Sequence, residues 1–297
     1  MLRSIFAVYG FACLAAYLIP SGIGENVVRL RYAALPLAVL TLSLRSWRPL
    51  PWAIAAFVLA LSWNVAPLAY SYAHTSADPS ASATYWQPVV KYLHRELSPS
   101  YRVEAVDTAG HWEAVYLAQA GIPIVRGWFR QDDFPQNELL YDPLGKHAYL
   151  AWLHRMGARY VVLTKAPLDY SAVTEAKLLR SGHSGLRVVF RSANATIYSV
   201  PHPVSLVTGP GHPKVLALTE SSVVMRLHRP GSYTVALRYT PYMTAPNACT
   251  METPDGMIHL EAKHAGILRL SFTMTASNAL AAVVGSRSTC AASHPAG

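Results

Sequence analysis

The charge distribution of this chain is lopsided, and that asymmetry limits what it can fold into more than any motif does. Residues 1–74 carry few charges: Arg3, Glu25, Arg29, Arg31, Arg45 and Arg48. Three apolar segments fill most of the space between them, Ser4–Ile19, Tyr32–Leu44 and Pro51–Tyr70. A helix that crosses a bilayer needs about 20 mainly apolar residues, with about 17 as the lower limit. The third segment meets that length, the first is slightly short, and the second is short unless Val27, Val28 and Leu30 extend it. The first, behind Arg3, also has the outline of a signal peptide, but no small-residue cleavage site follows it. The pattern predicts three membrane helices and a multi-pass protein of the cell membrane with the bilayer as a partner. By the positive-inside rule, Arg3, Arg45 and Arg48 keep the N-terminus cytoplasmic and the C-terminal domains extracytoplasmic. Arg29 and Arg31 then fall in the outer loop, where they either face a lipid phosphate or snorkel at the interface.

The rest of the chain has an ordinary composition for a water-exposed domain. Of the net charge of +9, the first 74 residues supply +4 (five Arg minus one Glu), which leaves +5 for residues 75–297. No run of Lys and Arg of the kind that tracks a phosphate backbone occurs, so nucleic acid is not an expected partner. Cys13 lies in an apolar segment and reads as a small hydrophobe. Cys249 and Cys290 are a possible disulfide pair if their domain lies outside the cytoplasm. The histidines have no metal-ligand spacing, and no P-loop, G-x-G-x-x-G or G-x-S-x-G segment appears. Neither a metal nor a cofactor is expected.

Composition and periodicity divide the chain into a transmembrane region (1–74), an α/β domain (75–202), a β-sandwich (203–285) and a disordered tail (286–297). In the second region, helical spacing of Trp86, Val89, Val90 and Leu93 predicts a helix over 85–97. Strands are predicted at 101–107, 122–126 and 159–164, helices at 112–120, 146–156 and 171–180, and a hairpin over 186–200 that turns near Ala193 and Asn194. Alternation of this kind predicts an α/β fold with a mostly parallel sheet. Beyond Pro203, short strands separated by Pro230-Gly231, Asp255-Gly256 and Gly266 predict the sandwich.

The densest chemistry lies in 110–137. Trp112 and Trp128 offer flat apolar faces suited to sugar rings, while Gln131, Asp132, Asp133 and Asn137 offer partners for hydroxyl groups. Arg126 and Arg130 have the forked geometry that grips a phosphate. Glu113 and the Asp132/Asp133 pair are candidates for acid and base. The same residues also suit a purely structural role, with Trp112 in the core and Arg126 paired with Asp132 or Asp133 to hold a long loop. That loop follows a predicted strand end, where parallel sheets place their ligands.

Several segments together resemble a known group. "ENVVRLRYAALPL" is similar to a G-x-N-x-x-R-L segment that opens a late membrane helix in large actinobacterial multi-pass proteins. "YWQPVVKYL", "YRVEAVDTAGHWEAVYL", "IVRGWFRQDDFPQN", "YLAWLHRMGARYVVLT" and "ATIYSV" resemble the extracytoplasmic C-terminal domain of those proteins, whose architecture is similar to the glycosyltransferase C superfamily. The likeness spans roughly residues 20–275. It implies a polyprenyl-phosphate-linked sugar as donor and an envelope glycan as acceptor. In that superfamily the catalytic carboxylate sits in the first outer loop, and Glu25, the one acid of residues 1–74, does not match it. The expectation is therefore a C-terminal portion that binds glycan or acceptor without catalysing alone, truncated or served by a separately encoded membrane subunit. The alternative is a non-enzymatic cell-envelope assembly module.

Overall fold

The computed structural model describes residues 50–128, 133–276, 279, 280 and 290, and near the N-terminus residues 4, 7, 8, 10–12 and 14. The chain divides into two units, Met1–Asp78 and Pro79–Gly297. In the first unit, one helix, α1 (Leu50–Ala77), runs through the third apolar segment. The few described residues of the first segment are helical, and the second segment lies outside the described residues. Among the described residues no helix is long and apolar enough to cross a membrane. The three membrane helices, the multi-pass placement in a cell membrane and the orientation inferred from it are therefore overturned. α1 carries Pro67 in its interior and turns polar over its last turns, from Ser71 through Ala77. Arg29 and Arg31 lie outside the described residues.

The second unit opens with α2 (Ala83–Glu96), whose Tyr85, Trp86, Val89 and Leu93 form one buried stripe. The chain then alternates through β1 (Arg102–Ala105), α3 (Trp112–Gln119), α4 (Lys146–Arg155), β2 (Ala158–Thr164), α5 (Val173–Arg180) and the hairpin β3 (Arg187–Arg191) and β4 (Ala195–Ser199). The sheet order is β1-β2-β4-β3. Only β1 and β2 run parallel; β4 is antiparallel to both β2 and β3. The expected mostly parallel sheet is thus corrected to a mixed one, for two reasons. The hairpin folds back so that β4, not another crossover strand, covers β2. The predicted strand at 122–126 shrinks to one parallel bridge, Val103 to Ile124, because Pro123 has no N–H to extend a ladder.

Both faces of this sheet are covered. Along β2, Tyr160 and Val162 join the cluster of Trp86, Val89, Leu93 and Leu117 from α2 and α3. Val161 and Leu163 join that of Tyr149, Trp152 and Leu179 from α4 and α5. The period-two alternation of a strand therefore feeds two cores. Gly157 ends α4 at φ 67°, and a side chain there would press on the Leu206 backbone.

The chain then builds two antiparallel four-stranded sheets. One has the order β10-β11-β8-β5 and the other β6-β7-β12-β9. Their strands are β5 (Val207–Thr208), β6 (Lys214–Leu218), β7 (Ser222–Leu227), β8 (Gly231–Arg238), β9 (Met243–Thr244), β10 (Ala248–Glu252), β11 (Met257–Ala262) and β12 (Gly266–Phe272). Val207, Val235, Ile258 and Leu260 of one sheet share a core with Val223, Met225, Leu227 and Leu270 of the other, a β-sandwich. Its edge strands are blunt. β5 and β9 have two residues each, and β6 begins with Lys214 and carries a register shift between Val215 and Ala217. The sandwich is tied to the mixed sheet by Arg102, which donates from NH2 to the Ala236 carbonyl at 2.6 Å, and by Met257, which packs in the α4–α5 core.

Cys249 on β10 is joined to Cys290 across a sequence separation of 41. Apart from Cys290, residues 286–297 lie outside the described residues. Closing a loop of this length removes unfolded-chain entropy worth about 2–4 kcal/mol. Paired Cys249→Ser and Cys290→Ser substitutions are expected to cost about that much in urea denaturation, with no further loss on adding reductant. The wild type is expected to lose a similar amount on adding reductant, and a wild type whose stability ignores reductant would show that the bond does not form.

Candidate functional site

The parallel pair β1/β2 fixes one end of the mixed sheet, and the loops that leave it are zipped together. Thr108 bridges to Leu168, Ala109 N–H donates to the Pro167 carbonyl at 2.8 Å, and Asp169 N–H donates to the Asp107 carbonyl at 3.0 Å. Carboxyl ends of parallel strands are where α/β folds collect ligands. Here they collect acids. All four residues of β1 are buried, including Glu104 at 0% exposure, and Asp107 follows just beyond it.

Arg126 is the hub. Its Nε donates to Glu104 Oε1 at 2.7 Å and its NH2 to Glu175 Oε2 at 2.8 Å, while NH1 lies 3.0 Å from Asp107 Oδ2. Tyr149 donates its hydroxyl to Glu175 Oε1 at 2.5 Å. Three carboxylates thus surround one guanidinium away from water. Burial pushes the Glu104 carboxyl well above the usual range, with Arg126 pulling it back, and raises Glu175 in the same way. Asp107 is pushed up to about 7, by burial first. Burial also opposes the charge on Arg126, but the three carboxylates outweigh it and hold Arg126 well above its ordinary value. A guanidinium committed on three sides is unavailable as a phosphate clamp. Sequence proximity suggested Asp132 or Asp133 as the partner of Arg126; among the described residues it pairs with acids from β1, the loop after it and α5, and Asp132 lies outside them.

Beside this hub lies the segment 133–141. Asp133 accepts from Asn137 Nδ2 at 2.8 Å and from the Tyr141 hydroxyl at 2.7 Å, and Trp152 Nε1 donates to Asn137 Oδ1 at 3.2 Å. Asp133 and Asn137 are buried. The segment is therefore pinned from beneath, while its aromatic rings face outward: Phe134 is 50% exposed, and Trp128, just before the segment, is 62% exposed. A cavity of about 260 Å³ opens here, lined among others by Arg102, Arg126, Gly127, Asp133, Asn137 and Arg238. Arg102 donates to the carbonyls of Met156, Val125 and Ala236, and burial lowers it to about 10. Arg238 is exposed at the rim.

The candidates of the sequence separate accordingly. Arg126 and Asn137 both line the cavity, and Trp128 follows its lining residue Gly127 in the chain. Trp112 is half-buried against Tyr116, with ring centres 6.0 Å apart. Glu113 is buried in the acid cluster, away from the residues that line the cavity, and its Oε2 accepts from Thr108 Oγ1 at 2.6 Å. Arg130, Gln131 and Asp132 lie outside the described residues. Glu104, Asp107, His111, Asp169 and Glu175 were not among the candidates. Two of them left a signal: Glu104 interrupts an apolar strand, and Glu175 shares a helix face with buried Leu179. Among the described residues, Asp107, His111 and Glu113 form one group able to hold a metal ion, with ligand atoms within 4.8 Å of one another. No family model, no curated protein and no solved structure matches the chain. The likeness to the glycosyltransferase C superfamily accordingly stays on the sequence segments alone.

Proposed function

We propose that this chain binds a glycan, free or carried on polyprenyl phosphate, at the cavity beside residues 133–141, and that it does not catalyse a transfer by itself. The observation that carries the reading is the nearness in the chain of exposed aromatic faces, Trp128 and Phe134, to a small cavity lined by both apolar and polar groups, among them Asp133 and Asn137, the latter held from beneath by Trp152. Sugars are recognised by this combination of flat apolar faces and fixed hydrogen-bonding groups, since the ring C–H faces stack while the hydroxyls find partners. Exposed Arg238 adds a positive charge at the rim, which suits the phosphate of a lipid-linked sugar.

The test is calorimetry or ligand-observed NMR on the full chain with envelope oligosaccharides and with a short-chain polyprenyl-phosphate sugar. Trp128→Ala and Phe134→Ala are each expected to weaken binding by about tenfold or more, with unchanged thermal unfolding. Arg238→Gln weakens the phosphorylated ligand alone. Saturable binding that both aromatic variants retain sinks the assignment of this surface.

A second reading, an assembly module of the cell envelope, draws support from a different observation. On α1, Ile54, Phe57, Val58, Leu61 and Leu68 are all more than half exposed. Apolar surface of that extent is usually covered by a partner protein. A monodisperse monomer by light scattering across a wide concentration range would remove that support.

A further inference from the structure

The loop after β1 and the first turn of α3 carry three side chains of metal-ligand type to one point. We propose that Asp107, His111 and Glu113 bind one divalent transition-metal ion, at a site whose residues are distinct from those lining the glycan cavity. The three residues offer a carboxylate oxygen, a ring nitrogen and a carboxylate oxygen that lie within 4.8 Å of one another. Bonds of ~2.0–2.2 Å to a common ion place ligand atoms roughly 3–4.4 Å apart, so a small closure of these side chains completes the set.

The second observation concerns the atoms left over. Glu113 is 2% exposed, and its Oε1 has no hydrogen-bond partner, nor does the buried Nδ1 of His111 that lies 3.5 Å from it. Unsatisfied buried polar atoms are costly, and two that converge on one point call for a shared partner. The other oxygen of Glu113 is already held. Thr108 donates from N and Oγ1 to Glu113 Oε2 at 3.2 and 2.6 Å, which turns Oε1 toward the site. Asp169 Oδ2 lies 3.7 Å from His111 Nε2. Drawn in from that distance to hydrogen-bond contact, this carboxylate would hold the proton on Nε2 and leave Nδ1 as a lone-pair donor, the usual arrangement behind a metal-bound imidazole. Asp169 is itself fixed by Ser171, whose N and Oγ donate to Oδ1 at 2.9 and 2.7 Å.

Charge points the same way. Glu104, Asp107, Glu113, Asp169 and Glu175 are all buried around Arg126 and His111. Acids outnumber bases in a region shielded from water, and a divalent ion supplies the missing positive charge. The imidazole favours a transition metal such as zinc over calcium or magnesium, and the two carboxylates admit manganese as well. Three protein ligands leave coordination positions open, and the His111 side chain, 19% exposed, faces water on one side.

The first experiment titrates Mn²⁺ into the isotope-labelled full chain after chelator treatment. Paramagnetic broadening is expected first at the amides of residues 107–113 and 169–171, and Zn²⁺ is expected to reverse it. Broadening centred on other histidines, such as His94 or His264, or the absence of any localised broadening, overturns the proposal without any variant having to fold. Calorimetry with Zn²⁺ then reads the ligands. Glu113→Gln and His111→Asn, the latter chosen because Asn tolerates the φ of 53° at this position, each reduce affinity at least about tenfold. Asp169→Asn reduces it by about 10–100-fold through the imidazole it orients. Unchanged zinc affinity in folded Glu113→Gln overturns the site.

Discussion

Replacing Arg126 with Met lowers the free energy of unfolding by about 3–5 kcal/mol, the cost of stripping a buried ion cluster of its only shared partner. The guanidinium contacts Glu104, Asp107 and Glu175 at 2.7–3.0 Å, with side chains no more than 4% exposed. Without it three acids face one another in a space that water does not reach. Arg126→Lys recovers little, since one ammonium cannot span three carboxylates in a plane. The informative comparison adds Glu104→Gln and Glu175→Gln to the Met variant. If the damage comes from stranded negative charge, the triple variant is more stable than Arg126→Met alone, and the single-site losses are strongly non-additive. Urea denaturation at neutral pH measures all of these. A loss under about 1 kcal/mol for Arg126→Met, the size of an exposed ion pair, would mean that the cluster is solvated and the burial described here is wrong.

Trp152→Ala is expected to cost about 3–5 kcal/mol and to weaken ligand binding at the same time. The indole is 1% exposed, stacks on Tyr149 with ring centres 6.0 Å apart, and donates to Asn137. Truncation therefore opens a void in the α4–α5 core and frees the segment that the proposed glycan surface stands on. Trp152→Phe fills most of that void and loses chiefly the hydrogen bond, for about 1–3 kcal/mol. Hydrogen exchange separates the two effects: amides of residues 133–141 lose protection in both variants, while β2 loses it in the Ala variant only. Unchanged exchange at 133–141 in Trp152→Ala would show that the segment does not depend on the indole.

The helices and short strands were legible because each rests on local periodicity. Trp86, Val89 and Leu93 mark α2, and the turn glycines at 231, 256 and 266 punctuate the sandwich. The direction of the mixed sheet was not legible, because it depends on where the β3–β4 hairpin lands. Nothing in "LRVVFRSANATIYSV" states that β4 will pair with β2. The stretch 51–70 is helical as its apolar content suggested, but among the described residues no helix is long and apolar enough to cross a membrane. Arg126 stood among the candidates, yet two of its partners lie 22 and 49 positions away. Sequence proximity pointed to Asp132 and Asp133, of which Asp132 lies outside the described residues. His111 was weighed and set aside because the histidines show no ligand spacing, and Asp107 was not singled out; the zipped loops after β1 and β2 create the grouping.

The blunt edges of the sandwich restrict how anything can attach to it. Recruitment by strand addition needs a long, straight row of vacant backbone donors and acceptors. Two-residue β5 and β9 do not supply one, β6 is kinked and opens on a lysine, and β10 is crosslinked through Cys249. A companion that docks on this half of the molecule must therefore read side chains on the sheet faces or the turns. Copies of the sandwich are likewise denied the backbone template that seeds fibrils.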